Sequence, residues 1–261
     1  MNNHQKHVLM KKSIIISLLM LVVASPFVNA VTFKKYSGER SFYMPDLSSD
    51  FDGAVYETHS YKIEFPTDGS SLLKAIILYE VFGKSYSNLD NATESFLNTF
   101  LDSESNDRPQ LVNKVPEDSW PVQEVGVSGN LKSQSADLII YECSGYTYFA
   151  GAAHGMYGVS YINFHIPSKK DLTLSDLLLT SKKAAINKAV RRNARKVSDA
   201  LYSPDVSNIE YSETFYLSNN GITFIYQPYE IGPFAAGVIE ITVPKSQLTG
   251  CLTALGKKLI K

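Results

Sequence analysis

Histidine, cysteine and tryptophan are scarce in this chain of 261 residues, which contains five, two and one of them respectively. Two histidines fall in the first 30 residues, and the remainder has only His59, His154 and His165. The sequence also lacks a His-Glu-x-x-His motif, a Gly-x-Ser-x-Gly turn and a glycine-rich phosphate loop with its lysine. Because these absences remove the commonest signatures of zinc enzymes, serine hydrolases and nucleotide-binding enzymes, we assign no catalytic residue and expect neither metal nor cofactor.

The two cysteines, Cys143 and Cys251, lie 108 positions apart, which is not a metal-site spacing. A disulfide between them is one alternative, and the chain-entropy model gives a loop of this length about 4–5 kcal/mol of stabilisation. Two buried free thiols are the other alternative. The sequence supports both.

A concentrated excess of basic residues is also missing. Without the three lysines of the first 30 residues, the chain has 22 basic and 26 acidic residues, a net charge of −4. Residues 31–130 contain 8 basic and 16 acidic residues, whereas residues 131–261 contain 14 and 10. We therefore expect no nucleic-acid partner. The acidic first half either attracts a basic protein or only maintains solubility.

Long apolar runs are absent except near the N-terminus. There, three lysines precede an apolar run over residues 13–24, which is shorter than the roughly 20 residues that span a bilayer. The small residues of Val28–Ala30 fit a cleavage site. We predict a signal peptide over residues 1–30 and a secreted or periplasmic protein with no membrane span after cleavage. An uncleaved anchor helix is the alternative.

Hydrophobic periodicity predicts an α+β fold in which antiparallel sheets are packed by a few helices. We expect two small modules, over residues 31–130 and 131–261. Alternating or continuous apolar runs predict strands at 61–65, around 138–143, at 157–167 and in a hairpin at 214–228. The segment 72–82 has no clear period, and its isoleucines favour a strand.

Helical spacing of apolar residues predicts three further elements, near 91–101, 181–201 and 248–259. Asp90 or Asn91 is the expected N-cap of the first, and Ser175 that of a short helix before the second. Seven basic residues between Lys182 and Lys196 fall largely off the apolar stripe of the second helix. They form either a binding surface for an anionic polymer or the solvated outer face of an amphipathic helix.

Two motifs contain candidate functional residues. In "GAAHG", Gly151 and Gly155 allow left-handed backbone geometry around His154, which is either a general base or hydrogen-bonding contact, or a structural side chain of the turn. In "QPYEIGPFAAG", Glu230 is either an acid/base residue or an acceptor for backbone amides. The candidate binding cleft comprises Gly151, His154, Gly155, Tyr157, Tyr161, Asn163, Tyr226, Tyr229 and Glu230.

The same motifs, together with "LTLSDLLL" and "FYLSNNGITF", resemble the C-terminal domain of the RsiV/PdaC-like family over about residues 131–250. Residues 50–128 resemble more loosely the small module that precedes this domain. The resemblance implies an extracytoplasmic α+β fold and, in the lysozyme-sensing anti-sigma factor of the family, binding of lysozyme. It does not imply catalysis, because in the deacetylase of the family that activity belongs to a separate domain.

These observations favour a secreted, non-enzymatic binding protein of the cell envelope, with lysozyme, another cell-wall-active protein or a glycan as its partner. A second hypothesis is an envelope hydrolase that acts on cell-wall glycan through His154 and Glu230, with Tyr157 or Tyr229 nearby. It requires these side chains to converge in one cleft. A third hypothesis is a structural envelope protein with no small ligand, which the lack of a concave pocket would favour.

Overall fold

The structure is a computed structural model that describes residues 30–45, 54–100, 109–119 and 122–260. The predicted signal peptide lies outside the described residues except for Ala30. The strands are β1 (Phe33–Tyr43), β2 (Tyr56–Pro66), β3 (Gln110–Val112), β4 (Val122–Gln134), β5 (Leu138–Tyr148), β6 (Met156–His165), β7 (Lys170–Asp171), β8 (Phe215–Ser218), β9 (Gly221–Tyr226) and β10 (Ile239–Pro244). The helices are α1 (Ser71–Phe82), α2 (Leu89–Leu97), α3 (Leu174–Leu177), α4 (Lys183–Ala194), α5 (Lys245–Leu248) and α6 (Ala254–Leu259). Across these described segments, no helix is both long enough and apolar enough to cross a bilayer.

The strands form two sheets. A seven-stranded sheet has the order β3-β1-β2-β4-β5-β6-β7, and a three-stranded antiparallel sheet has the order β10-β9-β8. Within the larger sheet, β2 and β4 are parallel and the other neighbours are antiparallel. A parallel pair needs a long crossover, and α1, α2 and β3 lie in this connection. The fold is α+β as predicted, with one parallel pair that the sequence did not indicate.

β5 separates two regions of the core. Ile139 and Tyr141 pack against α1 on one face of the sheet. Ile140 points the other way, into a cluster formed by the three-stranded sheet and α4. Because successive strand residues face opposite sides, burial of three in a row shows that both faces of β5 are covered. Each such side chain contributes about 1.5–3 kcal/mol through its burial.

The strand prediction for residues 72–82 is wrong, because this segment is α1. Ser70 caps the helix by accepting a hydrogen bond from the backbone N–H of Leu72, and Gly83 ends it at a φ of 72° with a bond to the carbonyl of Tyr79. These cap residues are the standard helix boundary signals. The apolar run hides the helical period, since α1 buries Leu73, Ile77, Leu78, Val81 and Phe82.

Several predicted helix ends also differ from the structure. The N-cap of α2 is Asn88 rather than Asp90 or Asn91, and that of α3 is Thr173 rather than Ser175. The predicted helix 181–201 is continuous only over α4, because a tighter 3₁₀ segment with a non-helical Val197 follows it. The predicted helix over residues 248–259 is interrupted, because α5 ends at Leu248, a 3₁₀ segment follows over Thr249–Cys251, and α6 begins only at Ala254. The α2 helix ends at Leu97, before the predicted end at residue 101, which itself lies outside the described residues.

The hairpin prediction is confirmed by β8 and β9, which pair Phe215 with Phe224 and Leu217 with Ile222. Of the three turn residues Asn219, Asn220 and Gly221, however, only the glycine has a positive φ. Elsewhere, the predicted module boundary at residue 130 falls within β4, which pairs with both β2 and β5. The division into modules stays a prediction.

Cys143 and Cys251 are both buried and free. They belong to different core clusters, Cys143 beside α1 and Cys251 among the helices that cover the smaller sheet. Of the two alternatives from the sequence, the structure has free thiols rather than a disulfide. Burial raises the pKa of the Cys143 thiol well above its ordinary value, so this side chain is unreactive in the folded protein.

Candidate functional site

The turn after β9 and the loop between β5 and β6 meet at one end of the seven-stranded sheet. They bring together residues 75 positions apart in sequence, since the rings of His154 and Tyr229 are in contact. Both sequence motifs that contain candidate residues therefore contribute to one surface.

The turn Gln227–Glu230 places Tyr229 in a strained conformation. The N–H of Glu230 donates to the carbonyl of Gln227 over 3.0 Å, and Tyr229, the third residue, has a φ of 73°. This is the pattern of a type II turn with Pro228 at its second position, and its third position normally requires glycine. A left-handed conformation costs a residue with a Cβ about 1–2 kcal/mol. Strain of this kind persists where a side chain is needed in a particular place.

Gln227 attaches the turn to the edge of β6. Its side-chain amide accepts from the N–H of Val159 over 3.0 Å and donates to the Val159 carbonyl over 2.8 Å. The side chain therefore makes the two hydrogen bonds to the backbone of Val159 that a neighbouring strand would otherwise make. The carboxylate of Glu230 accepts from the N–H of Gln227 over 2.8 Å and closes the turn. These bonds fix the position of Tyr229 beside β6.

One ring nitrogen of His154 bonds to its own loop and the other bonds to the turn Gln227–Glu230. Nδ1 lies 2.9 Å from the carbonyl oxygen of Gly155, which can only accept, so Nδ1 carries the hydrogen. In the neutral ring, Nε2 is then an acceptor, and the hydroxyl of Tyr229 donates to it over 3.0 Å. Both nitrogens of His154 are thus occupied.

Phe234 is the centre of an aromatic surface. Its ring stacks on His154 with 4.0 Å between the centroids and contacts the rings of Tyr157 and Tyr229 at 5.7 and 5.5 Å. We call these four side chains the Tyr229 platform. Tyr229 is 47% exposed, and Tyr146, which pairs with Tyr157 across the strands, is 38% exposed. Polar-tipped aromatic side chains that remain partly exposed are typical of binding surfaces.

A groove of about 400 Å³ borders the platform, with Gln227 and Pro228 on one side and the end of α1 on the other. Its floor includes Gly145 and Gly158, which are directly opposed on β5 and β6. A Cβ atom on Gly145 would meet nothing within 4 Å. Packing therefore does not require glycine at this position, and the bare backbone leaves room for a ligand or another chain to approach closely.

The glycines of "GAAHG" have different roles. Gly151 has a φ of 77°, as predicted for left-handed geometry. Gly155 does not have a positive φ, so it does not use the left-handed freedom that glycine allows. Its missing side chain instead makes room for the ring of Tyr146, which a Cβ atom would overlap.

Glu230 and His154 each bond to other groups of the site. Glu230 directs its carboxylate to the backbone of its own turn, and within the described residues no hydrogen bond joins it to His154. The structural alternative for Glu230 is the one that its contacts support. What the surface offers is a rigid set of aromatic rings with polar tips.

Three predicted cleft residues lie away from the platform. Tyr161 donates to the carboxylate of Glu142 over 2.7 Å, and burial raises the pKa of the Tyr161 hydroxyl well above its ordinary range. Asn163 is buried and bonds through its side chain to β8. Tyr226 is also buried, and its hydroxyl donates to the carbonyl of Glu210. The last two side chains stabilise the fold.

Glu57 and His59, which are two residues apart on β2, form a buried pair with 2.5 Å between Oε1 and Nε2. Gln123 donates to the other carboxylate oxygen of Glu57, and His59 Nδ1 bonds to the carbonyl of Phe96. Nothing in the part of the chain that the structure describes brings three or more His, Cys, Asp or Glu side chains together as metal ligands.

Sequence reasoning did not select Phe234, Gln227 or Gly145 for the site. Phe234 stands in the quoted "QPYEIGPFAAG" segment, where an aromatic residue directly after Gly232 and Pro233 was a usable signal. The role of Gln227 depends on a contact with Val159, 68 positions earlier in the chain, and no local pattern reveals it.

Comparison with known proteins identifies a family without an assigned function. Residues 170–246 match the model of DUF3298, described as a protein of unknown function. This segment contains Tyr229 and Phe234 but not His154. No curated protein matches the chain.

Two solved structures share the fold. A DUF3298 family member from Bacteroides fragilis has a TM-score of 0.64 and 17% identity, over 86% of this chain and 94% of that one. A DUF3298 family protein from Pseudomonas aeruginosa has a TM-score of 0.63 and 18% identity, over 87% and 96% of the two chains. At these identities the likeness concerns the fold alone.

Proposed function

We propose that this chain is a non-enzymatic binding protein of the cell envelope and that the Tyr229 platform is its contact surface. The observation that carries the proposal is Tyr229 itself, a half-exposed tyrosine held at a φ of 73° where glycine would be relaxed. Tyrosine and phenylalanine are enriched at the centre of protein interfaces, where rigid rings are buried with little loss of entropy.

Charge favours a basic protein as the partner. Glu80 lines the groove, and Glu124 lies on β4 opposite Tyr148, at the same end of the sheet. Both side chains are exposed. Acidic groups around an aromatic centre accelerate the encounter with a basic partner and orient it.

Lysozyme is the specific partner that we propose to test first. The reason is the resemblance of residues 131–250 to the RsiV/PdaC-like family, together with the acidic charge near the platform. Cell-wall-active enzymes meet their binding partners outside the cytoplasm, which agrees with the proposed signal peptide and a secreted or periplasmic location.

The experiment is calorimetric titration of the protein lacking residues 1–30 with lysozyme, followed by an assay of lysis inhibition. We expect saturable heat and slower lysis at micromolar concentration. Absence of both effects at tens of micromolar would overturn the lysozyme version. Release of soluble fragments from cell-wall glycan by the protein alone would instead support the hydrolase hypothesis that employs His154 and Glu230.

A further inference from the structure

A second recess lies between α4 and α5 and contains a group of positive charges. It has a volume of about 600 Å³ and is lined by Ala185, Lys188, Ala189, Arg192, Arg195, Ser246 and Gln247. No acidic residue is among these lining residues, which sets the recess apart from the groove beside the platform.

The three cations converge because of their spacing. Lys188 and Arg192 lie on α4, and Arg195 follows it directly with helical backbone angles, so the spacings of four and three positions place all three on one helical face. Ala185 and Ala189 line the same recess, and their small side chains leave its space open. The sequence pattern showed the basic run but not the concave surface that α5 completes.

These cations are also without carboxylate partners. Among the residues that the structure describes, none of the three forms an ion pair within 4.0 Å. Other cations of the chain are paired, as Lys183 is with Glu210. Asp205 interacts electrostatically with Arg195, but its carboxylate already accepts hydrogen bonds from the N–H and hydroxyl of Ser207. An unneutralised group of cations attracts an anion.

Neutral hydrogen-bond donors also line the recess, and a buried neighbour fixes the orientation of one of them, the side chain of Gln247. The buried Asn193 donates to the carbonyl of Ala189 and to Oε1 of Gln247, both over 2.9 Å, and accepts from Lys196. Because Oε1 of Gln247 is thereby an acceptor, its remaining amide group presents donors only. The hydroxyl of Ser246 is a further donor at the recess.

We propose that this recess binds a phosphate group. Arginine matches phosphate oxygens with two parallel donors, and Lys188 adds a point charge. A free phosphate and the headgroup of an anionic phospholipid offer the same chemistry. The site is separate from the Tyr229 platform and does not depend on the function proposed for it.

The test follows amide resonances by NMR as inorganic phosphate is added, with cosedimentation on phosphatidylglycerol or phosphatidylcholine vesicles as the second arm. We expect saturable shifts at the recess residues, or cosedimentation with the anionic vesicles only. The first result identifies a small phosphate as the ligand, and the second a lipid headgroup.

The variant R192Q/R195Q should weaken the observed binding at least about tenfold, because two charge-assisted contacts are lost. The matched control K34Q/K84Q removes the same charge from exposed lysines outside the recess and should bind like the unmodified protein. Thermal unfolding verifies that each variant is folded. No binding in either arm, or equal weakening in the two variants, would overturn the proposal.

Discussion

The hydroxyl of Tyr229 lies 3.0 Å from Nε2 of His154 and donates its hydrogen to that nitrogen when Nδ1 carries the ring hydrogen. This bond fastens the turn after β9 to the loop before β6. It also holds Nε2 of His154 against the Tyr229 hydroxyl. The pair therefore has the geometry of a rigid contact surface, and four predictions test this interpretation and the fold that supports it.

Replacing Tyr229 with glycine should weaken lysozyme binding while leaving the free energy of unfolding nearly unchanged. The substitution relieves left-handed strain of about 1–2 kcal/mol, which offsets the lost histidine bond and the added freedom of the unfolded chain. The free energy of unfolding in urea should stay within about 1 kcal/mol of the original value, whereas lysozyme affinity should fall at least about tenfold.

Lys169 supplies the matched control for this substitution. It also has a positive φ, of 49°, and it lies in the turn before β7. Lys169→Gly should relieve similar strain and leave lysozyme binding unchanged. Retained affinity in Tyr229→Gly would show that the tyrosine is not part of the contact.

Filling the floor of the groove should block binding without harming the fold. Gly145→Leu projects a side chain into space where a Cβ atom meets nothing within 4 Å, so the melting temperature should not fall. Calorimetry should show weaker lysozyme binding. Gly250→Leu is the control, since a Cβ atom there is equally unobstructed and Gly250 lies outside the groove. Unchanged affinity in Gly145→Leu would exclude the groove from the interface.

Asn163→Leu should destabilise the protein by about 2–5 kcal/mol. The Asn163 side chain donates to the carbonyl of Phe215 and accepts from the N–H of Leu217, both over 2.9 Å, and so joins the two sheets. Leucine would leave both backbone groups buried and unsatisfied. The exposed Asn130→Leu should change the urea midpoint little, and an equally small effect at Asn163 would contradict its linking role.

The stability of the protein should depend on pH through Asp171. Burial raises the pKa of this carboxyl from 3.8 to about 6, although it accepts a bond from the N–H of Asn163. Below pH 3.8 the group is protonated in both states. Between about pH 4 and 6 the unfolded chain releases the proton while the native state retains it, so stability falls as pH rises and then levels off.

The side chain of Asp171→Asn cannot titrate. The stability of this variant relative to the original protein should therefore increase from pH 4 to pH 7. A shift of about two pKa units corresponds to at most about 3 kcal/mol. Urea unfolding at the two pH values measures the gain. The exposed Asp199→Asn, which removes the same charge at the surface, is the control. A constant difference for Asp171→Asn would refute the assignment.

Local patterns predicted much of the fold, and the failures have identifiable physical causes. The hairpin of β8 and β9 and the alternation of β6 followed directly from strand periodicity. The segment of α1 did not, because its apolar run hides the helical period and the decisive signals are its caps, Ser70 and Gly83.

Prediction of the site was partial for a similar reason. His154, Tyr157 and Tyr229 stand in motifs that drew attention by composition, and the structure brings them together. The bond between Gln227 and Val159 that positions the turn joins distant segments, and only the tertiary structure reveals it. Asn163 and Tyr226 have the residue types of binding groups but are buried, which strand alternation alone did not distinguish.

The central claim, that the Tyr229 platform and its groove form the contact surface, is tested most directly by hydrogen–deuterium exchange with and without lysozyme. The account predicts slower exchange on lysozyme addition in residues 145–159 and 227–237, and unchanged exchange in α4. Protection confined to other segments, or no protection at saturating lysozyme, would contradict it.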